Sequence, residues 1–302
     1  MSTTPRPSSP PLRSPEQRRG DPEKARVLVT GAASGLGAAL VEAFRARGDE
    51  VLATDLSSAV EVRAERASKP IDLVLDITSD ADWAAAVDAV RERWGGLDVL
   101  VNNAGVAGGG RVDVCTLEEW RWITDINLFG MVRGTRAFVP MLKEQGSGHL
   151  VNIASLAGLV HPAGMASYNA VKAAAVAFTE TCGHELAGHG IRASVVCPSY
   201  FRTNLMDSME GSDELVGQVV SGLVERSRIT ADDIAAAVLA GMDAGDDVIV
   251  PDEPARQAYF LKWADRPAYD AVMRDQAAKL LLRDASSLGS SGTGAPAGEA
   301  GS

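Results

Sequence analysis

The sequence predicts a doubly wound α/β domain: a parallel sheet of seven strands with helices on both faces. Three observations carry this. Short apolar runs alternate with stretches of helical periodicity along most of the chain. Most of the runs are continuously apolar and alternate only weakly, as strands covered on both faces require. The first run also passes through a glycine-rich turn straight into an amphipathic helix.

The first strand is "RVLVT" (26–30), followed by Gly31, Gly35 and Gly37 in the spacing G-x-x-x-G-x-G. Glycine there lets the backbone bend sharply and approach a ligand closely. The next helix then points its first N–H groups and its positive dipole end at an anion. That helix, "GLGAALVEAFRARG", lines up Leu36, Leu40, Ala43 and Phe44 on one stripe. The second and third strands are "EVLAT" (50–54) and "IDLVLDI" (71–77). A helix over 79–94 follows, with Ser79 as N-cap and Trp83, Val87 and Val90 on one stripe. The remaining strands are "LDVLVN" (97–102), "HLVNIA" (149–154), "IRASVVC" (191–197) and "DDVIV" (246–250). Between them lie a long helical stretch over 116–146, an alanine-rich helix over 164–186, and a helix from Thr230 to Gly245 with a cap at each end. Asn127, inside the long stretch, reads as a kink or an interhelical bond.

The organisation is one catalytic-size domain over 25–252, a helical extension over 253–284, and tails over 1–24 and 285–302 whose composition predicts disorder. The extension reads as two short amphipathic helices broken near Pro267, packed over a substrate mouth or at a subunit interface. A net charge of −11 argues against a nucleic-acid partner. No apolar run reaches the roughly 18 residues that span a bilayer, and the N-terminus lacks a secretory apolar core, so a cytoplasmic protein with no membrane partner is expected. Cys115, Cys182 and Cys197 form no CxxC pair, which predicts neither disulfides nor a metal site. Cys115 precedes a helix start that would lower its pKa; the alternative is an inert small side chain.

Strand ends carry the candidate chemistry. Asp55 follows the second strand, where a carboxylate accepts both ribose hydroxyls of an adenosine and repels a 2′-phosphate. Ser34 and Leu56 bring no positive charge there, so NAD is expected over NADP; Asp55 as a helix cap is the other reading. Asp76 closes the third strand and "NNAG" (102–105) the fourth, both otherwise ordinary turn chemistry. Ser155 follows the fifth. Tyr168 and Lys172 are four residues apart and so share a helix face. A phenol titrates near about 10, but a fixed ammonium and an oxidised nicotinamide would favour the phenolate and bring it toward a useful pH. A surface pair on a helix is the alternative for Tyr168 and Lys172, and a turn residue for Ser155.

Together these residues resemble the short-chain dehydrogenase/reductase family, in its compact single-domain branch. The resemblance rests on "TGAASGLG" (30–37), Asp55, Asp76, "NNAG", "NLFG" with Asn127, Ser155, "YNAVK" (168–172) and "CPSYFRT" (197–203), and it spans roughly residues 25–250. It implies a Rossmann-type fold and an oxidoreductase that moves a hydride between NAD(H) and a secondary alcohol or ketone. It implies Tyr168 as acid/base, Lys172 as the group that tunes it and holds the nicotinamide ribose, Ser155 as the substrate-orienting hydroxyl, and Asn127 as the holder of a relay water. Dinucleotide contacts are implied at Gly31, Ser34, Gly35, Leu36 and Gly37, then at Asp55, Asp76 and Ile77, at Asn103, Ala104 and Gly105, and at Pro198 and Thr203. Ser199 stands where the family usually has glycine. Substrate contacts are expected from Ser155, His161, Met165, Tyr168, Tyr200, Phe201 and Met206, which favour a mostly apolar molecule, although each singly reads as packing. A homo-oligomer, dimer or tetramer, is expected. The competing readings are an NADP-linked carbonyl reductase, opposed by Asp55, and a non-catalytic dinucleotide binder, opposed by the intact set Asn127, Ser155, Tyr168 and Lys172.

Overall fold

The computed structural model describes residues 24–56 and 71–290. The strands β1 (Arg26–Thr30), β2 (Glu50–Asp55), β3 (Leu73–Val74), β4 (Val99–Asn102), β5 (Gly148–Ile153), β6 (Ile191–Val196) and β7 (Val248–Ile249) form one parallel sheet in the order β3-β2-β1-β4-β5-β6-β7. The order reverses between β1 and β4, so the cleft for a ligand lies at the carboxyl ends of those two strands.

Both faces of the sheet are covered, which is why the strands read as continuous apolar runs. Val27 and Val29 of β1 face helix α1 (Gly35–Ala46), while Leu28 between them belongs to the opposite core with Leu52, Leu100 and Leu150. Helix α2 (Asp80–Trp94) brings Trp83, Ala86 and Val90 to that second core. Ser79 caps it as expected, accepting from the Asp82 N–H at 3.2 Å.

The third strand is shorter than the sequence run. Only Leu73 and Val74 pair with β2, because Asp76 Oδ1 takes the Thr78 N–H at 2.8 Å and its hydroxyl at 2.7 Å and folds the chain into a turn. The seventh is likewise reduced to two residues. The long helical stretch divides into α3 (Leu117–Thr124), a wide π turn (Asp125–Gly130) and α4 (Met131–Gln145), with Asn127 in the wide turn as the kink reading expected. A short helix α5 (Ala157–Val160) precedes α6 (Ala166–Leu186), which carries Tyr168 and Lys172. Helices α7 (Glu214–Arg226) and α8 (Ala231–Ala244) follow β6. Thr230 and Gly245 cap α8 as the sequence indicated.

The extension forms two helices that meet beside Pro267, as expected, but the second is not short. Helix α9 (Glu253–Ala264) ends at Asp265, and α10 (Arg266–Ser290) is long. Pro267 lies in the first turn of α10, where it has no helical hydrogen bond to lose, so it starts the helix instead of breaking one. Asp265 Oδ1 accepts from the Ala268 N–H at 3.0 Å. Helix α10 continues past residue 284 to Ser290. The segments read as tails otherwise fall on 1–23 and 291–302, outside the described residues. Among the described residues no helix is long and apolar enough to cross a membrane, and no cluster of His, Cys, Asp or Glu could hold a metal.

Candidate active site

The glycine turn is built by close approach. Gly31 has φ +67, and a Cβ on it would lie 2.9 Å from the Ala104 Cα. A Cβ on Gly37 would lie 2.0 Å from the Gly31 carbonyl oxygen, so α1 starts directly against the turn. On the far side, Thr203 Oγ1 lies 2.7 Å from where a Gly35 Cβ would be. The first turn of α1 holds no acidic residue, and Ser34 makes no side-chain cap bond. Uncapped helix N–H groups above a Cβ-free cradle fit a dinucleotide pyrophosphate.

Thr30 anchors the cradle from below. Its hydroxyl accepts from the N–H groups of Asn103 and Ala104, each at 3.0 Å, and Asn103 Nδ2 donates to the Thr30 carbonyl at 2.8 Å. Asn103, Ala104 and Gly105 are thereby fixed over the switch point. Asp55 Oδ2 accepts from the Ala33 N–H at 2.9 Å and Oδ1 from the Leu56 N–H at 2.8 Å. Its carboxylate is thereby fixed facing the turn. Asn102 serves packing: its Nδ2 donates to Asn152 Oδ1 at 2.8 Å inside the sheet.

Ser155, Tyr168 and Lys172 converge beyond β5. Ser155 Oγ accepts from the Ala157 N–H at 3.1 Å and stands near enough to the Tyr168 phenol to lower its pKa. Lys172 Nζ lies 5.7 Å from the centre of the Tyr168 ring and donates to the Ile153 carbonyl at 3.1 Å. Both side chains are buried, which burdens their charged forms. Burial pushes the phenol up to about 12, against the lowering effect of Ser155. Burial also brings the Lys172 ammonium down to about 8. The sequence reading set two positive charges at the phenol, Lys172 and an oxidised nicotinamide; in the protein's own field desolvation dominates, and the ammonium bonds the Ile153 carbonyl. At Cys115 burial and Glu119 push the thiol up, which favours the inert reading over a lowered pKa.

One cavity of about 950 Å³ joins these parts. Gly31, Ser34, Gly35, Leu36, Gly37, Asp55, Asp76 and Ile77 line one end of it. Asn103, Ala104, Gly105, Pro198 and Thr203 line its middle, with Ser155, Tyr168 and Lys172. Met165, Tyr200, Phe201 and Met206 line the far wall, and Tyr200 donates to Met165 Sδ at 3.6 Å.

Two candidates lie off the cavity wall. His161 is exposed and turned away, because its left-handed backbone (φ 52) at the end of α5 swings it toward α9. There Nδ1 meets Lys262 Nζ at 3.0 Å and Nε2 meets the Gly158 carbonyl at 3.2 Å. The substrate-contact reading of His161 is corrected on this ground. Asn127 stands one layer behind the cavity: Oδ1 accepts from the Val106 N–H at 2.8 Å and Nδ2 donates to the Val106 carbonyl at 2.9 Å. Its side chain steadies a lining residue.

Other lining residues escaped the sequence reading. Val216, Val220 and Val224 of α7 face the cavity at helical spacing, a stripe that periodicity could have revealed. Met273, Gln276, Lys279, Leu280 and Arg283 come from α10, in the extension expected over a substrate mouth, although no local signal singles out which of its residues face the cavity. Ser199, in the family's usual glycine position, donates its hydroxyl to Asp252 Oδ1 at 2.7 Å and its N–H to Oδ2 at 2.9 Å. The substitution is thus absorbed by the residue that caps α9.

A glycine cradle at the switch point, joined by one cavity to a serine, a tyrosine and a lysine, is the architecture of a dinucleotide-dependent dehydrogenase. The chain belongs to the short-chain dehydrogenase family: the family profile described as short chain dehydrogenase matches residues 25–213. It is 37% identical over 228 residues to 2-(R)-hydroxypropyl-CoM dehydrogenase of Xanthobacter autotrophicus, covering 72% of this chain and 91% of that one. It is 39% identical over 182 residues to 3-alpha-(or 20-beta)-hydroxysteroid dehydrogenase of Mycobacterium tuberculosis, covering 60% and 70%. Among solved structures, a short-chain dehydrogenase/reductase of Burkholderia phymatum in complex with NAD superposes with TM-score 0.72 at 27% identity, covering 80% and 94%. A Burkholderia cenocepacia short-chain dehydrogenase in complex with NADP gives 0.70 at 29%, covering 83% and 98%.

Proposed function

We propose that this chain interconverts a secondary alcohol and its ketone with NAD(H), using Tyr168 as the acid/base. The observation that carries the reading is the convergence of Ser155, Tyr168 and Lys172 in the same cavity as the glycine cradle. The names of the relatives, two of them dehydrogenases of hydroxylated carbons, support it.

The bound nicotinamide supplies the hydride chemistry. Ser155 holds the substrate oxygen beside the phenol, and Tyr168 takes the carbinol proton during oxidation or returns it during reduction. Lys172 keeps a positive charge beneath the ring, which favours the phenolate while the proton is away. The low-polarity walls strengthen each of these interactions by excluding water.

Asp55 supports NAD over NADP: a carboxylate at that spot accepts ribose hydroxyls and repels a phosphate, and no Lys or Arg among the described residues lines that end of the cavity. An NADP-linked carbonyl reductase is the second reading. The test is a screen of secondary alcohols and ketones, followed by NADH absorbance with each dinucleotide. Turnover with NAD at the higher kcat/KM is expected; turnover of none of them would overturn the proposal.

A further inference from the structure

We infer that the substrate carries an anionic group remote from its reacting carbon, and that Lys279 and Arg283 of α10 receive it. This rests on the alcohol/ketone reading and names the substrate class of that site.

The charges that line the cavity are segregated. Asp55 and Asp76 stand at the adenosine end, Lys172 at the reacting centre, and Lys279 and Arg283 at the far end, where no acidic side chain lines the wall among the described residues. Between the centre and the cations the wall is apolar, with Met206, Val216, Val220 and Leu280. A molecule matched to this wall has an oxygen at Tyr168, an apolar body and a negative terminus.

Helix α10 is held where this requires. Leu280 Cδ1 lies 2.8 Å from the position a Cβ would take on Gly164, so α10 rests on the loop that leads into Tyr168. Gln276, Lys279, Leu280 and Arg283 recur at intervals of three and four, and therefore share the face that Leu280 seats. Lys279 is engaged by Asp275 of its own helix at 2.5 Å, an exposed pair whose exchange for a ligand anion costs little. Arg283 makes no ion pair with a described side chain, and its planar fork suits a carboxylate, sulfonate or phosphate.

The test compares (ω−1)-hydroxycarboxylates of increasing chain length with their methyl esters, using NAD and the full-length protein. At the best length the acid should exceed its ester by about tenfold in kcat/KM, mainly through KM, which corresponds to about 1.4 kcal/mol. The advantage should shrink as salt is raised. In the double variant Lys279→Gln/Arg283→Gln the acid-to-ester ratio should fall to about one, and thermal stabilisation of the protein by the acid should fall with it. Equal use of acid and ester by the parent protein, or an unchanged ratio in the variant, overturns the inference. Neutral secondary alcohols turned over without any acid preference would leave the oxidoreductase reading standing and remove only this one. Turnover of neither class would remove both.

Discussion

Lys172→Met should make this protein more stable at neutral pH while stopping its chemistry. Lys172 is an ammonium buried under Tyr168, and burial brings it from 10.5 in the open chain to about 8. Below pH 8 the folded and unfolded chains both hold the proton, and the fold bears the full cost of the buried charge. Between pH 8 and 10.5 the unfolded chain binds more protons than the folded one, so stability rises with pH across that window. The cost at pH 7 is about 3 kcal/mol, from about 1.4 kcal/mol per pH unit over that interval. Methionine has a similar length and no charge. It also forfeits the bond to the Ile153 carbonyl, worth about 1–3 kcal/mol if that oxygen stays unpaired. The net gain at pH 7 is about 1 kcal/mol, a rise in Tm of roughly 2–4 °C for a domain of this size. The decisive quantity is the difference between parent and variant at two pH values, in which the lost hydrogen bond cancels. The methionine advantage should decline by about 3 kcal/mol from pH 7 to pH 10 as the parent sheds its burden. Urea unfolding at both pH values measures this. A parent–variant difference that stays the same at pH 7 and pH 10 would refute the buried-ammonium account. Turnover at pH 7, where Lys172 carries its charge, should fall by about 10²-fold or more.

Three further expectations follow from the geometry. Gly37→Ala would place a Cβ 2.0 Å from the Gly31 carbonyl, where backbone has to move; a loss of about 1–3 kcal/mol and at least about tenfold weaker NADH binding by fluorescence titration are expected, and an unchanged Tm with unchanged affinity would contradict the close-packed cradle. Asp55→Ala removes the carboxylate that holds the Ala33 N–H and should raise the NADP-to-NAD ratio of kcat/KM by about tenfold; a constant ratio would count against Asp55 as the selector. Truncation after Ala264 removes α10 and with it Met273, Gln276 and Leu280 from the cavity wall; KM for the substrate should rise several-fold while NADH still binds, and an unaltered KM would mean that α10 is not part of the site.

Much of this architecture was legible because it is local. The strands of the sheet's centre announce themselves as apolar runs, since Val27 and Val29 meet one core and Leu28 the opposite one, yet all are buried. The glycine turn is legible because only Gly31, Gly35 and Gly37 tolerate those approaches. Tyr168 and Lys172 could be paired from helix geometry alone. What the sequence hid is set by distant contacts. The direction of His161 depends on a left-handed backbone and on Lys262, 101 residues away. The balance of charge at Tyr168 depends on how deeply the folded chain buries it, which four-residue spacing does not encode. The reach of α10 onto Gly164 is a tertiary contact between segments more than 100 residues apart, and it helps bring Lys279 and Arg283 to the cavity. Thr30, the hinge-pin of the cradle, looked like any last residue of a strand until Asn103 and Ala104 were seen to bond it.

The central claim is that the Tyr168 hydroxyl transfers the substrate proton from within an otherwise intact dinucleotide site. Tyr168→Phe tests it most directly, because the ring remains to pack against Met165 and Val171 while the hydroxyl beside Ser155 is gone. NADH affinity by fluorescence titration and turnover of the best substrate should be measured on the same preparation. The account predicts affinity within about threefold of the parent and a turnover loss of at least about 10²-fold. A phenylalanine variant that binds NADH and still turns over at the parent rate would contradict it.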